Sequence, residues 1–417
     1  MGRGQGGRRL STSWIQLKKA LCDDRLMRIL KLCYEFPPLG GGGGRVVHGL
    51  SRELVRLGHE VSVVTMGYGS LPRHETIDGI EMHRVRGIRR RPYQCSIPEV
   101  AVHLPAAARL ARRLLGERRF DLIHAHFIFP DGFNAWRLFR RTGRPFLITA
   151  HGTDVPGYDL HRLRATHALL TPIWRSIVRA ADTVVCPSAK LGELVLARSP
   201  QARIQLIPNG VEVGGRNSPV PRRKQILVVS KMLVRKGIQY LIRALAGTDP
   251  GYKLHIVGDG PYMPEIRRLI AETGSDVRLW GWLRNDSQEL TELFDTSSIF
   301  VLPSESENFP IALLEAMRAG LAIVTTRGTG CAEVVGDAAL LVEPCSVEAI
   351  RSAINRLTGD SALRESLGRA AQARLESNFS WSVVARRYVE LYERCRERHE
   401  APERPAPEAA SRGGRLR

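Results

Sequence analysis

Pro303-Ser304-Glu305-Ser306-Glu307-Asn308-Phe309-Pro310-Ile311-Ala312-Leu313-Leu314-Glu315-Ala316-Met317 follows the apolar run Ser298 to Leu302 and opens a helical pattern over Pro310 to Ala319. A short buried strand running through a polar turn into a helix is the repeating unit of an open parallel sheet. The carboxyl end of such a strand is where these sheets bind ligands. Glu307 lies in the turn. Glu315 lies about two turns further on, at ~3.6 residues per turn, between Leu313-Leu314 and Ala316-Met317. A carboxylate on that apolar face is costly unless it is partnered. Carboxylates also accept hydrogen bonds from diols, the groups by which sugars and ribose are held. The bland alternative is a capping acid followed by a surface Glu.

The same unit recurs on both sides. Met27 to Leu32, Glu60 to Thr65, Asp121 to Ala125, Pro145 to Thr149 and Thr183 to Cys186 read as buried parallel strands, with helical spacing over Val46 to Leu57 and Ala101 to Leu115. After Ile207-Pro208-Asn209-Gly210 the pattern stops. It restarts with strands at Gln225 to Ser230, Lys253 to Val257, Val277 to Leu279, Ser298 to Leu302, Ala322 to Thr326 and Ala339 to Val342, and a helix over Gly237 to Ala246. The expectation is an α/β chain of two Rossmann-like domains facing each other across a cleft. Its divisions are a basic, disordered arm over 1–26, a first domain over 27–211, a linker over 212–224 and a second domain over 225–380. A helix over 381–396 returns to the first domain, and a disordered tail covers 397–417.

Three further stretches carry chemistry. Pro37-Pro38-Leu39-Gly40-Gly41-Gly42-Gly43-Gly44 joins the first strand to a helix, where bare backbone and a helix N-terminus favour a phosphate. It is neither a Walker loop nor a regular dinucleotide fingerprint, which disfavours a Walker-type ATPase. Val229-Ser230-Lys231-Met232-Leu233-Val234-Arg235-Lys236-Gly237 stands at the mouth of the second sheet, where Lys231 and Lys236 could neutralise a diphosphate. Thr149-Ala150-His151-Gly152-Thr153-Asp154 ends a strand at the cleft edge of the first domain. It offers an imidazole that titrates near neutrality and an adjoining carboxylate.

The chain of 417 residues has a net charge of +20, distributed unevenly: 33 basic and 16 acidic residues lie in 1–211, and 29 and 26 in 212–417. Such a field suits an anionic substrate, an anionic membrane surface or nucleic acid, and an Arg-rich proteome would also produce it. Arg86, Arg89, Arg90 and Arg91 form one cluster. Arg109, Arg112, Arg113, Arg118 and Arg119 form another beside Leu104, Leu110, Leu114 and Leu115, as on a helix lying on a bilayer. Nucleic-acid binding is disfavoured because basic and aromatic residues are not interleaved and no zinc module is present. The seven cysteines have no metal-ligand spacing and read as reduced thiols. No stretch reaches the ~18–20 apolar residues of a spanning helix, and no secretory signal is visible.

Taken together, the Gly-rich loop, His151 to Asp154, Ile207 to Val211, Lys231 with Lys236-Gly237, and Glu307 to Glu315 resemble the retaining glycosyltransferases of family 4, which have the GT-B fold. The resemblance runs over about residues 28–395. It implies a hexosyltransferase that moves a sugar from a UDP- or GDP-linked donor to a sugar, lipid-linked or polysaccharide acceptor, with retention of configuration, no metal and no cofactor. It places Gly41, Gly42, Lys231 and Lys236 at the diphosphate, with Lys231 standing where the family commonly has Arg. Glu307, Asn308 and Phe309 fall at the transferred sugar, Glu315 at the ribose, and Gly281, Trp282 and Leu283 at the base. His151 falls at the reacting centre, with Asp154 on the acceptor side. A cytoplasmic protein, peripheral on the inner face of the membrane, is expected. A GT-B-shaped nucleotide-sugar epimerase is the alternative.

Overall fold

Short runs of Val, Ile and Leu that are buried on both faces can be satisfied only by parallel strands with helices above and below. The described residues form two such sheets. The computed structural model describes residues 26–400 apart from 93–94, 159–163, 214–220 and 249. All but the last residue of the arm expected over 1–26, the tail beyond 400 and most of the linker fall outside the described residues.

The first sheet comprises β1 (Arg28–Leu32), β2 (Glu60–Met66), β3 (His74–Ile77), β4 (Ile80–Val85), β5 (Leu122–His126), β6 (Phe146–Thr149), β7 (Thr183–Cys186) and β8 (Ile204–Leu206). Their order is β3-β4-β2-β1-β5-β6-β7-β8. The second comprises β9 (Gln225–Val229), β10 (Lys253–Val257), β11 (Val277–Gly281), β12 (Ile299–Leu302), β13 (Ala322–Thr326) and β14 (Leu340–Val342), in the order β11-β10-β9-β12-β13-β14. All pairs are parallel except β3 with β4. Strand order reverses beside β1 and beside β9. Ligands bind outside the carboxyl ends of strands at such switch points, and here those ends carry the Gly-rich loop and the Lys231–Lys236 turn.

The β3–β4 hairpin is an addition to the sequence reading. Its signal is Asp78-Gly79 between two strand-like runs, with φ of 51° and 78°, the left-handed pair that a tight hairpin demands. At the other end, the helix Trp381–Glu400 crosses back onto the first domain and continues beyond residue 396. Its start is anchored where Val211 N–H donates to Phe379 O (2.8 Å) and Trp381 N–H to Val211 O (3.2 Å). The Trp381 indole fills the space left by two glycines. A Cβ on Gly49 would come within 2.2 Å of the ring, and one on Gly210 within 2.5 Å. Further along, Tyr392 and Tyr388 reach His124 Nδ1 (2.7 Å) and Thr149 Oγ1 (3.0 Å), under the cleft end of β5 and β6.

The helix Ile97–Glu117 turns its leucines inward: Leu114 is buried, and Leu110 and Leu115 pack on the same core. Two arginines of its expected basic face are paired, Arg113 with Glu117 and Arg118 with Glu81. The helix is therefore a packed element of the domain, with arginines on its outer side, and its leucine stripe is not free to enter a bilayer. Among the described residues no helix is long and apolar enough to cross a membrane, and all six described cysteines are free.

Candidate active site

In the second domain, β9 leads through Lys231 into a single 3-10 turn, Val234–Lys236. Gly237 then takes a φ of 70° to enter the helix Ile238–Leu245, and a Cβ there would lie 2.0 Å from Pro303 O. This close approach sets Lys236 against the turn after β12. Lys236 Nζ pairs with Glu307 Oε1, and Ser304 Oγ donates to the same oxygen at 3.0 Å. Arg235 donates to Ser306 O (2.8 Å) and lays its guanidinium over the Tyr158 ring of the first domain, 5.3 Å from the centroid. Burial opposes ionisation of Glu307, but Lys236, Arg235 and Ser304 outweigh it and hold the carboxyl below its ordinary range. Burial draws Lys236 down, and Glu307 counteracts it. The result is a buried ion pair facing the other domain.

Glu315 lies on the helix Ile311–Arg318, buried as its apolar neighbours require, and its Oε1 pairs with Arg45 of the first domain. Burial alone would weaken the Arg45 charge, but Glu315 more than restores it. Other contacts across the cleft are Ser188 Oγ to Asn308 Oδ1 (2.8 Å), Asn209 Nδ2 to Phe309 O (3.1 Å) and Ser306 Oγ to Tyr158 O (3.0 Å). In addition, Ala189 and Lys190 N–H donate to the Glu333 carboxylate at 2.7 and 3.0 Å. That carboxylate caps the helix Ala189–Arg198 from the opposite domain, at the end where the helix dipole favours negative charge.

The Gly-rich loop faces the lysine turn directly. A Cβ on Gly41 would touch Lys231 Cε and Nζ at 3.5 Å, and one on Gly42 would touch Ile311 at 3.6 Å. The helix begins at Gly42, and Gly41 N–H donates to Glu35 Oε2 (3.3 Å). Glu35 thus uses an amide that the sequence reading assigned to phosphate.

His151 Nε2 lies 3.2 Å from His126 Nδ1, and its ring packs on Phe127 with centroids 4.4 Å apart. His126 in turn packs on His124 (4.2 Å). Burial lowers His151 to about 3 and takes His124 and His126 well below the ordinary histidine range, helped by nearby Lys31. The Lys31 amine, fully buried with no hydrogen-bond partner, is itself driven well down by burial. The three rings are therefore neutral in the folded protein, whereas in the unfolded chain they protonate near ~6.5. The unfolded state takes up protons first, so stability falls as pH drops below ~6.5, by at most about 1.4 kcal/mol per ring per pH unit. Lys31 acts with the same sign from about pH 10.4 downward. Burial raises Asp154 to about 6, which acts with the opposite sign, one group against the three rings and Lys31, over roughly pH 4–6. Scanning calorimetry should give a lower melting temperature at about pH 5.5 than at about pH 7.5.

Asp154 has a different position from the one expected. Its carboxylate accepts Ile128 N–H (2.7 Å) and His151 N–H (2.9 Å), which fixes the His151 loop against the end of β5. It does not line the cleft. Gly281 is likewise set back, its carbonyl accepting Gly258 N–H (2.7 Å). The other expected residues come together around one interdomain cavity of about 360 Å³: Gly41, Gly42, His151, Lys231, Lys236, Trp282, Leu283, Glu307, Asn308, Phe309 and Glu315. Glu35, Arg45, Tyr158 and Asn209 also line it and were missed. Only Asn209, in the Pro-Asn-Gly turn, lay in a stretch already singled out. The others are single residues with no spacing signal.

Residues 40–214 match the family described as Glycosyltransferase Family 4, and residues 216–374 match Glycosyl transferases group 1. An uncharacterized glycosyltransferase of Methanocaldococcus jannaschii is 28% identical over 395 residues, covering 88% of this chain and 98% of its own. Sucrose-phosphate synthase from Thermosynechococcus elongatus superposes with a TM-score of 0.76 at 22% identity, over 88% of this chain and 98% of that one. Anabaena HepE in complex with UDP-glucose gives 0.70 at 17% identity, over 88% and 100%. The two structures share the fold: paired parallel-sheet domains enclosing a cleft. With both halves matched by that family's two domains and the cleft residues assembled between them, the chain belongs to the family 4 glycosyltransferases of GT-B fold, enzymes that use nucleotide sugars.

Proposed function

We propose that the chain transfers a hexosyl group from a UDP- or GDP-linked sugar to an acceptor hydroxyl with retention of configuration and without a metal ion. The observation that carries this reading is the buried Lys236–Glu307 pair, set at the strand ends of one domain and facing Lys231 and the Gly-rich loop. The acceptor oxygen bonds to the anomeric carbon as the bond from that carbon to the diphosphate oxygen breaks. The acceptor proton passes to the departing diphosphate on the same face. Lys236 and Lys231 meet the charge that develops on that leaving group. Preorganised cations in a cleft cleared of water supply this stabilisation more strongly than water does. Glu307 then turns to the sugar hydroxyls, with the Asn308 and Phe309 backbone beside it. Glu315, held by Arg45 through Oε1, keeps Oε2 for a ribose hydroxyl. Trp282 and Leu283 face the base.

Neutral His151 acts by hydrogen bonding and shape at the reacting centre. A group lowered to about 3 is not the base whose ionisation would limit the rate near neutrality. The acceptor enters from the first domain, whose outer side carries Arg109, Arg112, Arg137 and Arg141 around a second cavity of about 260 Å³. An anionic membrane surface carrying a lipid-linked acceptor suits these arginines, through charge alone since the leucines are packed.

The test is to incubate the protein with UDP- and GDP-linked hexoses and follow release of the nucleoside diphosphate by slow transfer to water. One donor should be consumed. If none is consumed in the presence of sugar, glycolipid and polysaccharide acceptors, the proposal fails.

A further inference from the structure

We propose that His74, Glu81 and His83, on the edge hairpin of the first domain, form a binding site for a divalent transition-metal cation of the zinc class. The hairpin register places His74 directly opposite His83 and Thr76 opposite Glu81. Side chains alternate along a strand, so Glu81 and His83, two apart on β4, share a face, and the cross-strand partner His74 joins them there. The Asp78-Gly79 turn fixes that register, so the three side chains converge because of the backbone.

The distances fit the cation. His74 Nε2 and His83 Nε2 each lie 3.2 Å from Glu81 Oε1, and the three ligand atoms fall within 4.8 Å of one another. Zinc bonds of ~2.0–2.1 Å in tetrahedral geometry separate neighbouring ligand atoms by about 3.3 Å. Two edges of the tetrahedron are therefore already close to their bound length. The carboxylate is also oriented: Ser62 Oγ donates to Glu81 Oε2 at 2.8 Å and the Arg118 guanidinium pairs with that same oxygen, leaving Oε1 toward the imidazoles. Arg118 Nη2 donates to His83 Nε2 at 3.4 Å, so a cation must displace that donor to reach the imidazole, and the guanidinium charge moderates affinity. Two imidazoles and one carboxylate leave a fourth position for water. None of the three residues lines the interdomain cavity, so the site is separate from the transfer reaction. Its effect is to tie the edge strand β3 to β4.

The test uses the full chain, stripped with a chelator and titrated with ZnCl2 by calorimetry, with Co2+ absorption as a reporter of tetrahedral coordination. The wild type should bind one Zn2+ at this site and show the intense visible band of tetrahedral Co2+. His74 is more than half exposed, so His74→Ala should fold normally, weaken this binding at least about tenfold and lose the Co2+ band. His48→Ala, which removes the imidazole paired with Asp78 at the same turn, should leave both readings unchanged. Zinc binding by His74→Ala equal to the wild type, or loss of binding in His48→Ala, would overturn the proposal, as would a wild type that binds no zinc.

Discussion

Lys236→Ala lowers donor turnover by roughly 100- to 1,000-fold, the cost of removing one preorganised donor from a developing negative charge. The substitution also leaves Glu307 as a buried carboxylate without its ammonium, and breaking one side of such a pair destabilises by about 3–5 kcal/mol. The two effects separate in the double variant Lys236→Ala/Glu307→Gln. Removing the orphaned charge restores most of the melting temperature, while turnover stays lost because neither residue meets the donor. Stability is read by calorimetry, and turnover by release of nucleoside diphosphate below the melting temperature. A Lys236→Ala protein with ordinary kinetics would remove the ion pair from the donor site.

Trp381→Ala is expected to destabilise the protein by about 3–5 kcal/mol, the range for emptying a large aromatic site in a packed core. The indole sits where both Gly49 and Gly210 give up a side chain, and it starts the helix that joins the second domain to the first. The cavity borders the helix Gly42–Arg56 and the Val211 backbone, neither of which can collapse without moving a domain. Denaturant unfolding should show the loss. A change below about 1 kcal/mol would mean that the crossover is not a structural tie.

Much of this architecture was legible because buried parallel strands leave a direct mark: runs such as Val61 to Thr65 and Ile323 to Thr326 are mostly β-branched, are buried on both faces and end at turn residues. Glu315 was legible for a related reason, since a carboxylate among leucines needs a partner. Its partner was not: Arg45 lies 270 residues away, and no local pattern connects the two. Asp154 shows the reverse limit. An acid next to a cleft histidine reads as a substrate contact, yet backbone amides of its own loop and of the end of β5 claim its oxygens. The β3–β4 hairpin was overlooked because its edge strand is polar and only the Asp78-Gly79 turn marks it. Lys31, a charge-bearing residue in the middle of a strand, gave no reason to expect complete burial beneath the histidines.

The proposed transfer requires one cleft that holds a nucleoside diphosphate through Lys236. Calorimetric titration of the wild type and the double variant with UDP and with GDP tests this most directly. The account predicts that one of the two diphosphates binds the wild type at a single site, and that the double variant binds it at least about 100-fold more weakly, or about 2.7 kcal/mol. Equal affinity for wild type and variant, or no binding of either nucleotide by the wild type, would contradict it.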